Sequence, residues 1–244
     1  MIVGSTKENL TLEKRVSLTP ETAKNIIGLG LKTCIEKNYA IHLGIQDNEY
    51  AKVGVEIKNS LAEVVNSCNL LLKVNCPSEE EVNNLKENTI IVGMLNPSKN
   101  KNSISKILHK KLNIFSLELL PRITRAQSMD VLSSQSNLAG YRAVIDCVAE
   151  FEKAVPMMMT AAGTVPAAKI LVIGAGVAGL QAIATAKRLG AIVSATDVRA
   201  ASKEQVESLG GKFLTVQQTE DMETSGGYAK EVSDEYKKKQ AEMM

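Results

Sequence analysis

Few residues of this 244-residue sequence belong to the types that bind metals or form disulfides. It contains four cysteines and two histidines, with no Cys-x-x-Cys motif and no spacing typical of a metal site. The cysteines are therefore expected to be free thiols in a reducing compartment, and no metal ligand is predicted. These residues are Cys34, Cys68, Cys76, Cys147, His42 and His109.

An excess of charge of one sign and a long apolar run are also missing. The formal net charge is +2, so the sequence carries no strong electrostatic signal for nucleic acid or anionic lipid. The longest weakly charged stretch, residues 154–186, contains Pro156 and Pro166 and does not form one membrane span. The N-terminal residues lack the pattern of a secretion signal. We expect a soluble, cytoplasmic chain that does not bind nucleic acid.

One segment in the second half combines a glycine motif with regular flanking elements. From Lys169 the sequence predicts a buried strand, a glycine turn, an amphipathic helix and a second strand. In such a unit Gly174 allows the tight turn, Gly176 lets the backbone approach a pyrophosphate, and Gly179 lets helix and strand pack closely. The phosphates are expected to rest on N–H groups at the helix N-terminus, which favours negative charge.

The second strand ends on Asp197, which is placed where such units carry an acid that hydrogen-bonds an adenosine ribose. This acid favours NAD over NADP, because a 2′-phosphate would meet a carboxylate. Arg199 lies two residues further on and is able to neutralise a phosphate, but the acid comes first in the chain. NAD(H) is therefore the predicted ligand. The predicted contacts in this segment are Gly174, Ala175, Gly176, Val177, Gly179, Asp197, Val198 and Arg199.

Strand-like and helix-like segments alternate in the first half of the chain, which is typical of a parallel sheet covered by helices. The sequence therefore predicts an α/β protein with two Rossmann-like domains, at 1–135 and 136–244, with a cleft between them. The second domain begins with a connecting helix over 136–153 and an ordered loop over 154–168. The predicted strands are 1–6, 31–36, 69–75, 89–95 and 113–119; the predicted helices are 20–30, 60–68, 78–88 and 103–112.

Several longer motifs resemble one family across essentially the whole chain. The most diagnostic are RAQSMD at 125–130 and GGYAKE at 226–231, on either side of the glycine motif. They resemble the alpha subunit of proton-translocating NAD(P) transhydrogenases, the NAD(H)-binding component, which shares its fold with alanine dehydrogenase. The resemblance implies direct hydride transfer between NADH and NADP+, with NADP(H) held on a partner component. It also implies proton coupling through a separate membrane component, a peripheral position at the inner membrane, and a homodimer.

The resemblance also implies site residues outside the glycine motif. Gln127 and Arg122 would position the nicotinamide, with no acid or base required, and the same side of the cleft would include Asp130 and Ser133. A structural role stays open for these residues: Asp130 and Ser133 as helix caps, and Arg122 in a surface ion pair.

A mobile loop near 220–232 is implied as well, with Gly226 and Gly227 as hinge residues and Tyr228 covering the ligand. The alternative for this segment is an ordinary glycine turn.

Two alternatives to an active transhydrogenase component remain. An alanine dehydrogenase would need an acid/base pair, and the positions that match that pair are Asn75 and Asn96, although a substrate-binding arginine is matched by Arg15. After Asp197 only one helix and one strand (about 212–216) are predicted, so the second domain is expected to contain about three of six strands. The chain is then either an inactive truncated fragment or half of a split subunit whose second piece completes the sheet.

Overall fold

The computed structural model describes residues 1–214, 238 and 241. The chain divides into two compact units, Met1–Asp130 and Val131–Met244. Each contains a parallel sheet with helices, which confirms the predicted α/β class.

The first unit contains a six-stranded parallel sheet with the order β3-β2-β1-β4-β5-β6. The carboxyl ends of the central strands β1 and β4 diverge at the point where the strand order reverses. The strands are β1 Ile2–Ser5, β2 Lys32–Glu36, β3 Glu56–Lys58, β4 Leu70–Leu72, β5 Ile90–Gly93 and β6 Asn113–Ser116. The helices are α1 Pro20–Gly28, α2 Asp47–Lys52, α3 Leu61–Ser67, α4 Glu79–Asn84 and α5 Lys101–His109; 3-10 turns cover Ile41–Leu43, Leu117–Leu119 and Thr124–Met129.

The five strands and four helices predicted for this unit are confirmed, but β3 and α2 were missed. β3 is only three residues long and lies at the edge of the sheet, so it carries no buried apolar run. α2 is one short amphipathic element with a single buried residue, Tyr50. Neither segment is long enough to show a period in the sequence.

Local sequence explains where the longer helices begin. Thr19 caps α1 in a reciprocal pair with Thr22, and Pro20 occupies the first turn, where its missing N–H costs nothing. Ser78 and Glu81 form the same kind of box at the start of α4. Both faces of the sheet are buried, with Ile35, Tyr39 and Tyr50 in one core. The other core contains Val65, Leu71, Ile91, Leu95 and Ile107.

The second unit contains a three-stranded parallel sheet in the order β11-β10-β9, which confirms the predicted number of strands for the described residues. Its long first helix begins at Val131, five residues before the predicted start at Ser136, and the segment predicted as an ordered loop forms a small hairpin. The elements are α6 Val131–Glu150, the hairpin strands β7 Met158–Thr160 and β8 Gly163–Val165, β9 Lys169–Ile173, α7 Val177–Arg188, β10 Ile192–Thr196, α8 Ser202–Ser208 and β11 Lys212–Phe213.

Helix α6 crosses α7 at very short range. A Cβ built on Gly140 would lie 2.0 Å from the carbonyl oxygen of Ala178, so only glycine is accommodated at this crossing. The core beneath α7 is formed by small and branched side chains, among them Ile183, Val193 and Val206. This packing holds the N-terminal end of α7 against the rest of the second unit.

Within the part of the chain that the structure describes, no helix is both long enough and apolar enough to cross a membrane.

Candidate functional site

The glycine motif forms the turn between β9 and α7, and two of its glycines are required by geometry. Gly174 has φ +92° and its N–H donates to the Thr196 carbonyl of the neighbouring strand at 2.8 Å. An L side chain rarely adopts this conformation. A Cβ on Gly179 would lie 1.8 Å from the Gly174 carbonyl oxygen. The turn can therefore close onto the helix only with glycine at both positions.

Gly176 differs from these two residues because no described part of the protein requires glycine at this position. Its φ is −75°, and a Cβ built on it meets no atom within 4 Å. It is the N-cap residue of α7 and, as a glycine, has no side chain with which to cap this end of the helix. The first N–H groups of an α-helix have no partner within the helix. Open space next to such donors suits an anion such as a pyrophosphate.

Asp197 follows β10 and lies directly against the glycine turn. Its Oδ2 accepts a hydrogen bond from the Ala175 N–H at 2.7 Å. Its Oδ1 accepts from the backbone N–H of Arg199 at 2.8 Å and from Nε of the same residue at 2.9 Å, and an Nη of Arg199 donates to Oδ2 at 3.0 Å. The acid therefore links the two loops that end β9 and β10.

The electrostatics keep Asp197 ionised. Burial opposes the charged form and acts to raise the pKa of Asp197. Hydrogen bonds from the side chain and backbone of Arg199 and from the Ala175 N–H outweigh burial, so the pKa lies below the ordinary value. The carboxylate is 7% exposed and its guanidinium partner 18%. A negatively charged acceptor thus lies beside the N-terminal end of α7, and helix N–H donors together with a carboxylate acceptor suit the pyrophosphate and ribose of a dinucleotide.

The remaining predicted site residues are distributed over both units. In the first unit Arg122 precedes the 3-10 turn Thr124–Met129, which carries an exposed Gln127, and Asp130 follows it, partly buried. In the second unit Ser133 lies in the first turn of α6, partly buried. Their proposed role at the nicotinamide stays a prediction. Gly227 and Tyr228 lie outside the described residues.

A buried ionic cluster at the carboxyl ends of β1 and β4 was not anticipated from the sequence. Nζ of Lys73 lies 3.0 Å from Oε1 of Glu81 and 3.4 Å from Oε1 of Glu8, and all three side chains are at most 7% exposed. The same Nζ donates to Oγ1 of Thr6 at 3.2 Å and to the Lys7 carbonyl at 3.0 Å. The only signal in the sequence was a lysine directly after the buried run Leu70–Leu72.

The positions that separate the two enzyme classes lie at the same edge of the sheet. Asn75 follows β4 and donates to Oε2 of Glu13 at 3.4 Å. Asn96 follows β5 in the left-handed region at φ +45°, which asparagine tolerates, and its N–H donates to Oε1 of Glu118 at 2.6 Å. Arg15 donates to both carboxylate oxygens of Glu13, at 2.8 and 2.6 Å. The arginine of this edge is thus engaged by a carboxylate of the chain itself.

Comparison with known proteins agrees with the two-unit architecture. Residues 4–139 match the family model "Alanine dehydrogenase/PNT, N-terminal domain", and residues 143–241 match "Alanine dehydrogenase/PNT, C-terminal domain". A Rhodospirillum rubrum protein, named as the first part of NAD(P) transhydrogenase subunit alpha, is 49% identical over 249 residues, covering 99% of this chain. The protein of the same name from Rickettsia prowazekii is 47% identical over 248 residues and covers the whole chain.

The fold is also found in a solved structure of high identity. The crystal structure of transhydrogenase from Sinorhizobium meliloti superposes with a TM-score of 0.85 at 51% identity, covering 88% of this chain and 64% of that one. The present chain spans 65% of the length of the Rhodospirillum and Rickettsia relatives. The chain belongs to the alanine dehydrogenase/PNT family, and the Rhodospirillum and Rickettsia relatives that match nearly its whole length are named as the first part of transhydrogenase subunit alpha.

Proposed function

We propose that this chain is the NAD(H)-binding component of a proton-translocating transhydrogenase. The observation that carries the proposal is the contact between Asp197 and the Ala175 N–H, which joins a ribose-binding acid to a glycine turn. Gly176 and the open N-terminus of α7 take the pyrophosphate, and Asp197 takes the adenosine ribose. The resemblance to transhydrogenase alpha subunits supports this use of the fold.

The chemistry needs neither nucleophile nor acid/base pair. Bound NADH supplies a hydride from its nicotinamide C4 to NADP+ held on a partner component. The protein contributes orientation and exclusion of water. In this proposal Gln127 and Arg122 orient the nicotinamide, Asp130 and Ser133 line the same side, and Tyr228 covers it. Proton movement belongs to a separate membrane component, which holds this chain at the membrane surface.

An alanine dehydrogenase is disfavoured by the residues at the carboxyl edge of the first sheet. The positions matching its lysine and histidine are Asn75 and Asn96, and asparagine does not exchange a proton near neutral pH. The matching arginine, Arg15, is already held by Glu13 through two side-chain bonds. We expect no L-alanine-dependent reduction of NAD+, measured by the absorbance of NADH. Clear activity would overturn the assignment of these two asparagines.

A calorimetric titration with NADH, with NADPH as the comparison, tests the binding proposal. We expect saturable NADH binding and weaker NADPH binding. Asp197→Asn removes the charge that faces the 2′ position, so the ratio of NADH to NADPH affinity should fall. Asp146→Asn is the matched control, because Asp146 is exposed and pairs with Arg142 on the surface of α6. Absence of NADH binding, or an unchanged ratio in Asp197→Asn, would contradict the proposal.

A second possibility, half of a split subunit, is favoured by the free edge of the second sheet. Among the described residues β9 pairs only with β10, and its Ile173 and Leu171 side chains are 67% and 39% exposed. Next to them is an apolar groove of about 310 Å³ between α6 and β9, with Val144 and Phe151 in its wall. Unpaired, apolar strand edges associate with further strands. The proposed occupant is a parallel strand of the kind supplied by the part of the Rhodospirillum rubrum relative that this chain does not match.

Hydrogen exchange tests this completion of the sheet. The remaining third of the Rhodospirillum rubrum relative, added as a separate polypeptide, should protect the amides of β9 from exchange. The amides of β3, at the edge of the first sheet, serve as the internal control. No protection of β9 at saturating fragment would reject this occupant.

A further inference from the structure

Arg199 occupies the carboxylate on which nucleotide selectivity rests. A carboxylate offers about four acceptor positions on its two oxygens. In Asp197 they receive the Ala175 N–H, the Arg199 N–H, and two donors of the Arg199 guanidinium. The protein itself therefore supplies four donors to the acid, and a ribose hydroxyl would share the carboxylate with Arg199.

The guanidinium also balances the charge of the acid at contact distance. Nε of Arg199 lies 2.9 Å from Oδ1 of Asp197, and both side chains are largely withdrawn from solvent. Such planar, bidentate pairs are among the stronger ion pairs, and a partly buried one is weakly screened by salt. A ligand that approaches Asp197 would therefore meet an ion pair and not an isolated negative charge.

We propose that Arg199 is a selectivity-determining residue, which neutralises Asp197 and so weakens the rejection of a 2′-phosphate. The proposal rests on the proposed binding of NAD(H). With Arg199 in place, the chain discriminates against NADPH less than an unpaired aspartate would. Without it, the full charge of Asp197 faces the additional phosphate.

Replacement of Arg199 by methionine separates this role from a merely structural one. Two backbone donors, the N–H groups of residues 175 and 199, still hold the carboxylate in Arg199→Met. We expect the ratio of NADH to NADPH affinity to rise about tenfold, mainly through weaker NADPH binding. Arg199→Lys keeps the positive charge but loses the bidentate geometry of the guanidinium. Its ratio of NADH to NADPH affinity should therefore stay close to that of the unaltered chain.

Arg188→Met controls for the change in net charge, since Arg188 is exposed at the other end of α7. It should leave the ratio unchanged at the same ionic strength. Calorimetry with NADH and NADPH measures all four proteins. An unchanged or lower ratio in Arg199→Met, with NADH still bound, would overturn this inference alone. A ratio in Arg199→Lys equal to that in Arg199→Met would overturn it too, because charge would then be irrelevant. Failure of the unaltered chain to bind either nucleotide would overturn the proposed function and this inference together.

Discussion

At the scale of single residues, the three glycines of the motif differ in the physical reason for having glycine at that position. Gly174 is needed for its backbone conformation and Gly179 for the short distance to the Gly174 carbonyl. No described atom lies within 4 Å of a Cβ built on Gly176, so the described fold does not require glycine there, and its proposed role is in ligand binding. Stability and binding can therefore be separated within one short turn.

Gly179→Ala and Gly176→Ala form a matched pair of variants for this separation. The Cβ at 179 would overlap the Gly174 carbonyl, so we expect a loss of about 1–3 kcal/mol in the free energy of unfolding. The Cβ at 176 meets no protein atom, so stability should change by about 0.5 kcal/mol or less while NADH affinity falls. Urea denaturation and calorimetry measure the two effects. Equal stability losses in both variants would contradict the described turn.

The Glu13–Arg15 pair predicts a dependence of stability on pH. The side-chain hydrogen bond from Arg15 is the main cause that lowers the pKa of Glu13 from 4.5 to about 2. A lowered folded-state pKa stabilises the fold above the unfolded value near 4.5, and this stabilisation is lost as the pH falls towards 2. Because Arg15 is 43% exposed, solvent reduces the contribution to about 1 kcal/mol.

Urea denaturation of Glu13→Gln between about pH 3 and neutral pH tests this dependence. The variant should be less stable than the unaltered chain above pH 4.5, and the difference should shrink at lower pH. Glu79→Gln is the control, since Glu79 is 71% exposed. A difference that grows as the pH falls is the outcome that would refute the pairing.

At the scale of elements, the loops that leave the strands are tied together by side chains from distant parts of the sequence. Lys73, after β4, joins Glu8, after β1, to Glu81 on α4. In the second unit Asp197, after β10, joins the turn after β9. Parallel strands end at the same edge of a sheet, so residues that follow two neighbouring strands lie close enough for such contacts.

Lys73→Met should be strongly destabilising, because it leaves two buried carboxylates without a cation. We expect a loss of about 3–5 kcal/mol in the free energy of unfolding. Lys7→Met is the control: Lys7 pairs with Glu36 but is 38% exposed, so the expected loss is about 1 kcal/mol or less. Urea denaturation at neutral pH compares them. Similar losses of stability in both variants would contradict the pairing of a buried Lys73 with two carboxylates.

At the scale of the whole molecule, the two units differ in how complete their sheets are. The first has six parallel strands with a core on each face. The parallel sheet of the second has three described strands, and β9 has an apolar edge without a described partner. The first unit therefore contains within itself the contacts that a stable domain needs.

A polypeptide of residues 1–130 should fold alone. We expect cooperative urea unfolding by circular dichroism, since both cores of the first unit lie within this range. The full chain serves as the reference, in which a transition with the same midpoint should recur if the unit is autonomous. A gradual, non-cooperative loss of signal from 1–130 would contradict autonomy.

The sequence alone determined the family, the α/β class and the glycine-turn unit ending in Asp197. The α/β class and the glycine-turn unit follow from short-range patterns, namely apolar runs, glycine spacing and an acid at a strand end. The family follows from the resemblance carried by longer motifs such as RAQSMD and GGYAKE. β3 and α2 are too short to show a clear pattern in the sequence, and they were missed. The family is confirmed by its matches, and the three-stranded second sheet by the described residues. The roles of Arg122, Gln127, Asp130 and Ser133 stay predictions.

Only the tertiary structure decided what the charged groups contact. The sequence places Arg199 after Asp197, but the direction of the backbone after β10 decides that the guanidinium turns back onto the acid. Likewise, the pairing of β1 with β4 buries Lys73 between two glutamates that are distant in sequence. Such contacts depend on where two strands end in space, and no local period or spacing encodes that position.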